Sequence, residues 1–251
     1  MKTNQLTLAL AVLVTAFCIT APAAQAQDDH YTPEGLPPVV GDVTPGFVDR
    51  AGDQALMTAV ILQRLTIWTK PSDGTRIYAR SCRELIYGCE RQIETLVSYI
   101  FEESRRQDFD PWLLAAIAWH ESRFNPFAAS HAGAYGILQF LRRSSWSRGL
   151  SFVRESRYRQ RCRGELGGCQ RQIVERSIYW LRRTSVYCGS LDGGLRMYNS
   201  GGCSGPRRYT RAVRAAQNDF LRRANVIRSN DYIDPDRPQD GPVYIDDVGT
   251  P

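Results

Sequence analysis

The sequence predicts a mainly α-helical domain over residues 51–229, stapled by disulfides at its loops. Three observations carry this expectation. Apolar residues recur at helical spacing in several segments, no segment alternates apolar and polar residues convincingly as a half-buried strand does, and six of the chain's seven cysteines fall inside this span. A span of this length can bury its hydrophobic centre as one domain.

From Ala51 to Trp68, Ala55, Ala59, Leu62 and Leu65 repeat at helical spacing, with Val60 and Ile61 beside them. A second helix follows Cys89, where Ile93, Leu96, Val97, Ile100 and Phe101 share a face. A third begins at Asp110-Pro111. Asp supplies an N-cap oxygen, and Pro at the first helical position loses nothing because its missing N–H would have no helical partner there. From Trp112 to Trp119 this helix is apolar on nearly every side, which places it in the middle of the domain. Asn125-Pro126 is expected to end it, since the residue before Pro is pushed out of the α region. Two further helices are read at Gln170–Arg183, with Ile173, Val174, Ile178 and Leu181 inward, and at Arg208–Leu221.

The flanks differ in kind. Lys2, an apolar run from Leu6 to about Ile19 and Ala24-Gln25-Ala26 read as a secretory signal peptide over residues 1–26. No later segment reaches the ~20 apolar residues of a membrane helix, so the mature protein is expected to be soluble and periplasmic or secreted. Residues 27–50, an acidic Pro-containing linker, carry net −4, and the acidic Pro-containing tail 230–251 carries net −5; with a whole-chain charge of +6, about +14 remains on 51–229. A basic body in an exported chain suits an anionic cell-wall polymer and makes nucleic acid an unexpected partner. A solvated Arg-rich helix surface is the plainer reading.

Cys82, Cys89, Cys162, Cys169, Cys188 and Cys203 remain after export, an even count that reads as disulfides. Their spacing suggests the local pairs Cys82–Cys89, Cys162–Cys169 and Cys188–Cys203. A metal site is the competing reading, but no C-x2-C occurs and His30, His120 and His131 lack ligand spacing, so neither metal nor other cofactor is expected. The first two loops echo each other 80 residues apart, each just before an amphipathic helix.

The chemistry starts from Glu121, the acid at the carboxyl end of the apolar helix. The helix C-terminus carries partial negative charge and apolar surroundings exclude water, so both favour the protonated carboxyl. A carboxyl held neutral near neutral pH can give a proton to a leaving oxygen, the general-acid role in glycoside cleavage. Most glycosidases pair two carboxylates, yet no Asp or Glu lies between Glu121 and Glu155.

Glu121-Ser122, Asn125-Pro126 with Ala128 and Ser130, Gly133-Ala134-Tyr135-Gly136-Ile137-Leu138-Gln139 and, later, Tyr198-Asn199 resemble the catalytic domain of soluble lytic transglycosylases. The resemblance covers about Asp110 to Ala216. It implies a lysozyme-like, goose-type fold and cleavage of the MurNAc-GlcNAc β-1,4 bond of peptidoglycan, leaving 1,6-anhydro-MurNAc ends. Glu121 would protonate the bridging oxygen and then take the proton of that sugar's own 6-hydroxyl. Two departures, Phe140-Leu141-Arg142 where the family carries Pro and Met197 where it carries Ala, bear on the cleft's shape.

The same resemblance implies site roles for Ser122 and for Tyr198, whose hydroxyl would reach Glu121 or the substrate. Gln139 is a candidate for sugar acetamides, Tyr135 for stacking on a sugar ring and Asn199 for the substrate side or the turn itself; Gly133 and Gly136 serve backbone turns. Trp112 and Trp119 read as core. Peptidoglycan strands are the expected partner of a monomer, with a secretion apparatus as a candidate second partner. Rival functions are a lysozyme-type hydrolase, which needs a second carboxylate facing Glu121, and a non-catalytic wall-binding or secretion-assembly module.

Overall fold

The computed structural model describes residues 46–48, 52–83, 88–141 and 166–231, all within the compact unit Pro38–Pro251. The expected signal peptide, nearly all of the 27–50 linker and nearly all of the acidic tail lie outside the described residues. In chain order the helices are α1 (Asp53–Leu65), α2 (Arg80–Arg83), α3 (Cys89–Arg106), α4 (Pro111–Ser122), α5 (Leu166–Tyr187), α6 (Leu191–Ser200) and α7 (Arg207–Asp231). The fold is mainly α. Two short antiparallel ladders accompany the helices: β1 (Thr66–Thr69) with β2 (Arg76–Tyr78), and β3 (Ala134–Tyr135) with β4 (Phe140–Leu141).

These ladders correct the reading of the first helix as running to Trp68. Helix α1 stops at Leu65, and Thr66 turns to extended backbone. Thr66, Ile67, Trp68 and Thr69 are β-branched or aromatic, and Ile67 and Trp68 are exposed instead of continuing the apolar face. The ladders are too short to show an alternating pattern in sequence.

Helix α4 is the centre. Asp110 accepts from the Trp112 N–H at 2.8 Å as its N-cap, and Gln217 of α7 donates to the other carboxyl oxygen at 2.6 Å. All residues from Pro111 to Trp119 are buried, and Leu113 to Ala118 are inaccessible to solvent. Burying each such Leu or Ile contributes about 1.5–3 kcal/mol. Three alanines among them, Ala115, Ala116 and Ala118, leave room for α3 and α7 to pack close. Helix α3 in turn packs on α1 and α5, and α5 and α6 form a helical hairpin. Its contact is so close that a Cβ on Gly194 would lie 2.3 Å from the Ser185 hydroxyl oxygen.

The end of α4 also differs from expectation. The helix stops at Ser122, before Asn125-Pro126, because Arg123 takes the left-handed conformation (φ 54°, ψ 42°) and donates its N–H to the Trp119 carbonyl at 3.1 Å. Phe124 is left-handed too, at φ 59°. Two such non-glycine residues in succession turn the chain sharply away from the acid that precedes them.

Cys82 is bonded to Cys89 and Cys188 to Cys203, with Cα–Cα distances of 4.9 and 5.5 Å. Cys169 is also disulfide-bonded. Cys162, its expected partner, lies outside the described residues.

Candidate active site

Glu121 sits in the last turn of α4 with its side chain partly buried. Burial lifts its carboxyl from an ordinary value of 4.5 to about 7. The Tyr209 hydroxyl, from α7, donates to Glu121 Oε1 at 2.6 Å and opposes that rise by favouring the carboxylate. Desolvation wins, so the acid is poised between its two forms near neutrality. Burial raises the hydroxyls of Tyr209 and Tyr198 above the usual phenol range, and the negative charge of Glu121 adds to both rises. Both therefore stay protonated as donors. The His120 ring meets Tyr209 edge-on at 5.0 Å, and burial and Arg123 hold its imidazole below the usual range. Among the described residues no second carboxylate perturbs Glu121.

The segment that follows is a wall held by side-chain hydrogen bonds. Ser122 Oγ lies 2.8 Å from the Ile137 carbonyl, pinning the far end of the loop to the helix. Asn125 Oδ1 accepts from the Phe127 N–H at 2.9 Å, and Ser130 Oγ from the Ala134 N–H at 3.0 Å. Gln170 of α5, completely buried, accepts from the Ile137 N–H at 3.3 Å and donates to the Pro126 carbonyl at 3.1 Å. Gly136, at φ 77°, makes the turn beside Gln139, and the Gln139 amide nitrogen donates to the Gly136 and Ala128 carbonyls at 3.0 and 3.2 Å. So the donor groups of Ser122 and Gln139 are engaged with the loop's own backbone. Tyr135 is half-buried in β3, opposite Phe140.

The other wall is α6. Ser190 caps its start by accepting from the Gly193 N–H, and Cys188–Cys203 ties the chain before α6 to the chain after it. Tyr198 reaches out of α6 and donates to the Leu138 carbonyl at 2.5 Å, with Ser177 at 3.5 Å. Of the two partners expected for the Tyr198 hydroxyl, Glu121 or the substrate, Glu121 is taken here by Tyr209. Tyr198 instead joins the two walls. Asn199 is exposed on the last turn of α6, within the helix and not in a turn of its own.

Tyr209 and Gln170 escaped the sequence reading. Tyr209 shares a face with Val213 and Phe220, all buried, so a phenol on an apolar stripe was its one signal. Trp112 and Trp119 are core, as read; the guanidiniums of Arg64 and Arg123 lie 5.0 and 4.6 Å from the Trp119 ring centroid. Among the described residues no three His, Cys, Asp or Glu groups converge in a way that could hold a metal.

Residues 98–161 match the family described as Transglycosylase SLT domain. The chain carries a transglycosylase SLT domain. The matched segment takes in the second half of α3, all of α4 with Glu121, and the wall from Ser122 to Leu141; Tyr198 and Tyr209 lie beyond it. The mainly α architecture is that of the lysozyme-like fold to which the SLT domain belongs. Membrane-bound lytic murein transglycosylase C of Cronobacter sakazakii (strain ATCC BAA-894) is 27% identical over 121 residues, which cover 48% of this chain and 33% of the relative. The chain thus matches about a third of that relative's length. No solved structure matches. Among the described residues no helix is long and apolar enough to cross a membrane.

Proposed function

We propose that the protein is a peptidoglycan lytic transglycosylase in which Glu121 acts alone, first as acid and then as base. One observation carries this reading: a carboxyl at the end of a buried helix, raised to about 7 by burial and touched by a single phenol. The protonated Glu121 gives its proton to the oxygen bridging MurNAc C1 and GlcNAc C4 as the C1–O bond breaks, and GlcNAc leaves with a 4-hydroxyl. The carboxylate then takes the 6-hydroxyl proton of the same MurNAc as O6 bonds to C1. The ring closes as 1,6-anhydro-MurNAc, Glu121 is protonated again, and no water is consumed. An intramolecular hydroxyl in good geometry corresponds to an effective concentration of ~10⁵–10⁸ M, which removes the need for a second carboxylate. Tyr209 steadies Oε1 while the charge exists, leaving Oε2 to carry the proton. The signal peptide read at residues 1–26 would deliver the enzyme to the periplasm or beyond, where its substrate lies.

The test is mass spectrometry of the fragments that the full chain releases from purified sacculi. Anhydro ends are expected, and Glu121→Gln should release almost none. Reducing ends would identify a lysozyme-type hydrolase, and an active Glu121→Gln would remove the acid from its role.

A further inference from the structure

We propose a second binding site, for a carboxylate-bearing acidic peptide, in the groove between α6 and α7. Asp192 and Arg196 of α6 and Arg207, Thr210, Arg211 and Arg214 of α7 line a cavity of about 540 Å³ there. Four guanidiniums against one carboxylate make its lining strongly cationic. The feature that marks a site, and not merely a solvated basic face, is Thr210: only 4% exposed, it lines the cavity, and its buried hydroxyl has no hydrogen-bond partner. An unpaired buried hydroxyl costs about 1–3 kcal/mol, a cost that an incoming acceptor removes.

The arginines above it are available. Arg207 and Arg211 are exposed and pair with no carboxylate among the described residues. Arg214 is held loosely, 3.4 Å from Asp192 and 3.2 Å from Gln217. Asp192 thus stands where a ligand carboxylate would sit. Arg forks match carboxylates with two parallel hydrogen bonds. Arg207, Arg211 and Arg214 recur at every third or fourth residue of α7, so they span about 10 Å, and carboxylates three residues apart on an extended peptide span about the same. A lone phosphate would meet only one end of that row.

Two sources offer this chemistry: the chain's own Asp-rich residues 230–251, and the acidic peptide stems of the wall. The experiment is fluorescence anisotropy with the full chain and a labelled synthetic peptide of residues 230–251. A control peptide carries Asn for Asp231, Asp234, Asp236, Asp240, Asp246 and Asp247. The acidic peptide should bind and the Asn peptide should not. Arg207→Gln with Arg211→Gln should weaken binding at least tenfold, Thr210→Val severalfold with the salt dependence unchanged, and Asp192→Asn should strengthen it about two- to threefold.

The same six Asp→Asn changes made within the full chain distinguish the sources. A tenfold gain in affinity for the added peptide shows that the chain's own segment fills the groove. No gain, with competition by wall fragments bearing free carboxylates but not by amidated ones, shows the wall. The proposal is overturned if the Asn peptide binds equally, if the arginine pair or Thr210 can be replaced without effect, or if inorganic phosphate displaces the peptide as well as a carboxylate does. Glu121→Gln should bind the peptide like the wild type, so this outcome is independent of the catalytic proposal.

Discussion

The two walls beside Glu121 are held by opposite means. The wall from Ser122 to Leu141 is tied by neutral hydrogen bonds from Ser122, Gln139 and the buried Gln170 to loop backbone. The α6 wall is closed by a covalent bond between Cys188 and Cys203, and it is joined to the first wall by the Tyr198 hydroxyl on the Leu138 carbonyl. Hydrogen bonds of this kind act in the folded state, where a buried group left unpaired is penalised. A disulfide acts mainly by narrowing the unfolded ensemble. One wall is therefore specified by shape and the other by connectivity. The second is closed directly by its disulfide, whereas the first meets one only next to Gln170, at Cys169.

The largest effect should fall on what both walls serve. Glu121→Gln keeps shape but cannot donate and retrieve a proton, so turnover on sacculi should drop by ~100- to 10,000-fold while circular dichroism stays unchanged. Replacing Cys188 and Cys203 with Ser should cost about 3 kcal/mol in urea unfolding. Turnover should fall as well, because α6 carries Tyr198; the same change at Cys82 and Cys89, away from the walls, should leave turnover intact. Gln170→Leu strands the Ile137 N–H and the Pro126 carbonyl and should cost about 1–3 kcal/mol. Its loss should be the same whether or not Cys188 and Cys203 are replaced by Ser. If removal of the Cys188–Cys203 bond deepens the Gln170→Leu defect, the walls are not independent and Tyr198 transmits between them.

Smaller shifts sharpen the electrostatics. Glu121 binds its proton more tightly in the folded protein, about 7 against an ordinary 4.5, so the folded state holds more protons between those values. Stability from this group is thus present below pH ~4.5 and declines as pH rises towards 7. Glu121→Gln should melt at a higher temperature than the wild type at pH 8 and at nearly the same temperature at pH 4. Tyr209→Phe removes a bond that favours the carboxylate, so the alkaline limb of the activity profile should move up by up to ~1 pH unit. A downward move would mean that Tyr209 stabilises the protonated acid.

How much of this was legible in the sequence depends on the range of the cause. The Asp110-Pro111 start, the burial of the Trp112–Trp119 helix and the position of Glu121 at its end rest on neighbours within a few residues. Each is found where the pattern puts it. The end of the helix was misplaced because Pro126 is a conspicuous breaker, whereas nothing in Arg123 or Phe124 announces a left-handed conformation. Tyr209 lies 88 residues from the carboxyl it touches, and Gln170 lies 33 from Ile137. No local periodicity reports such pairings. The resemblance points the Tyr198 hydroxyl to the acid or the substrate; in the folded chain it donates to the Leu138 carbonyl.

The dryness of α4 has a consequence for how the protein opens. Amide protons from Leu114 to Ala118 sit where no solvent reaches and are held by helical bonds, so they should exchange with deuterium only when the whole domain unfolds. Those of α6, six of whose ten residues reach solvent, should exchange sooner through local openings. The acid is thus mounted on the last part of the molecule to move. Local opening should therefore begin on the α6 side, before the buried turns of the helix that carries the carboxyl.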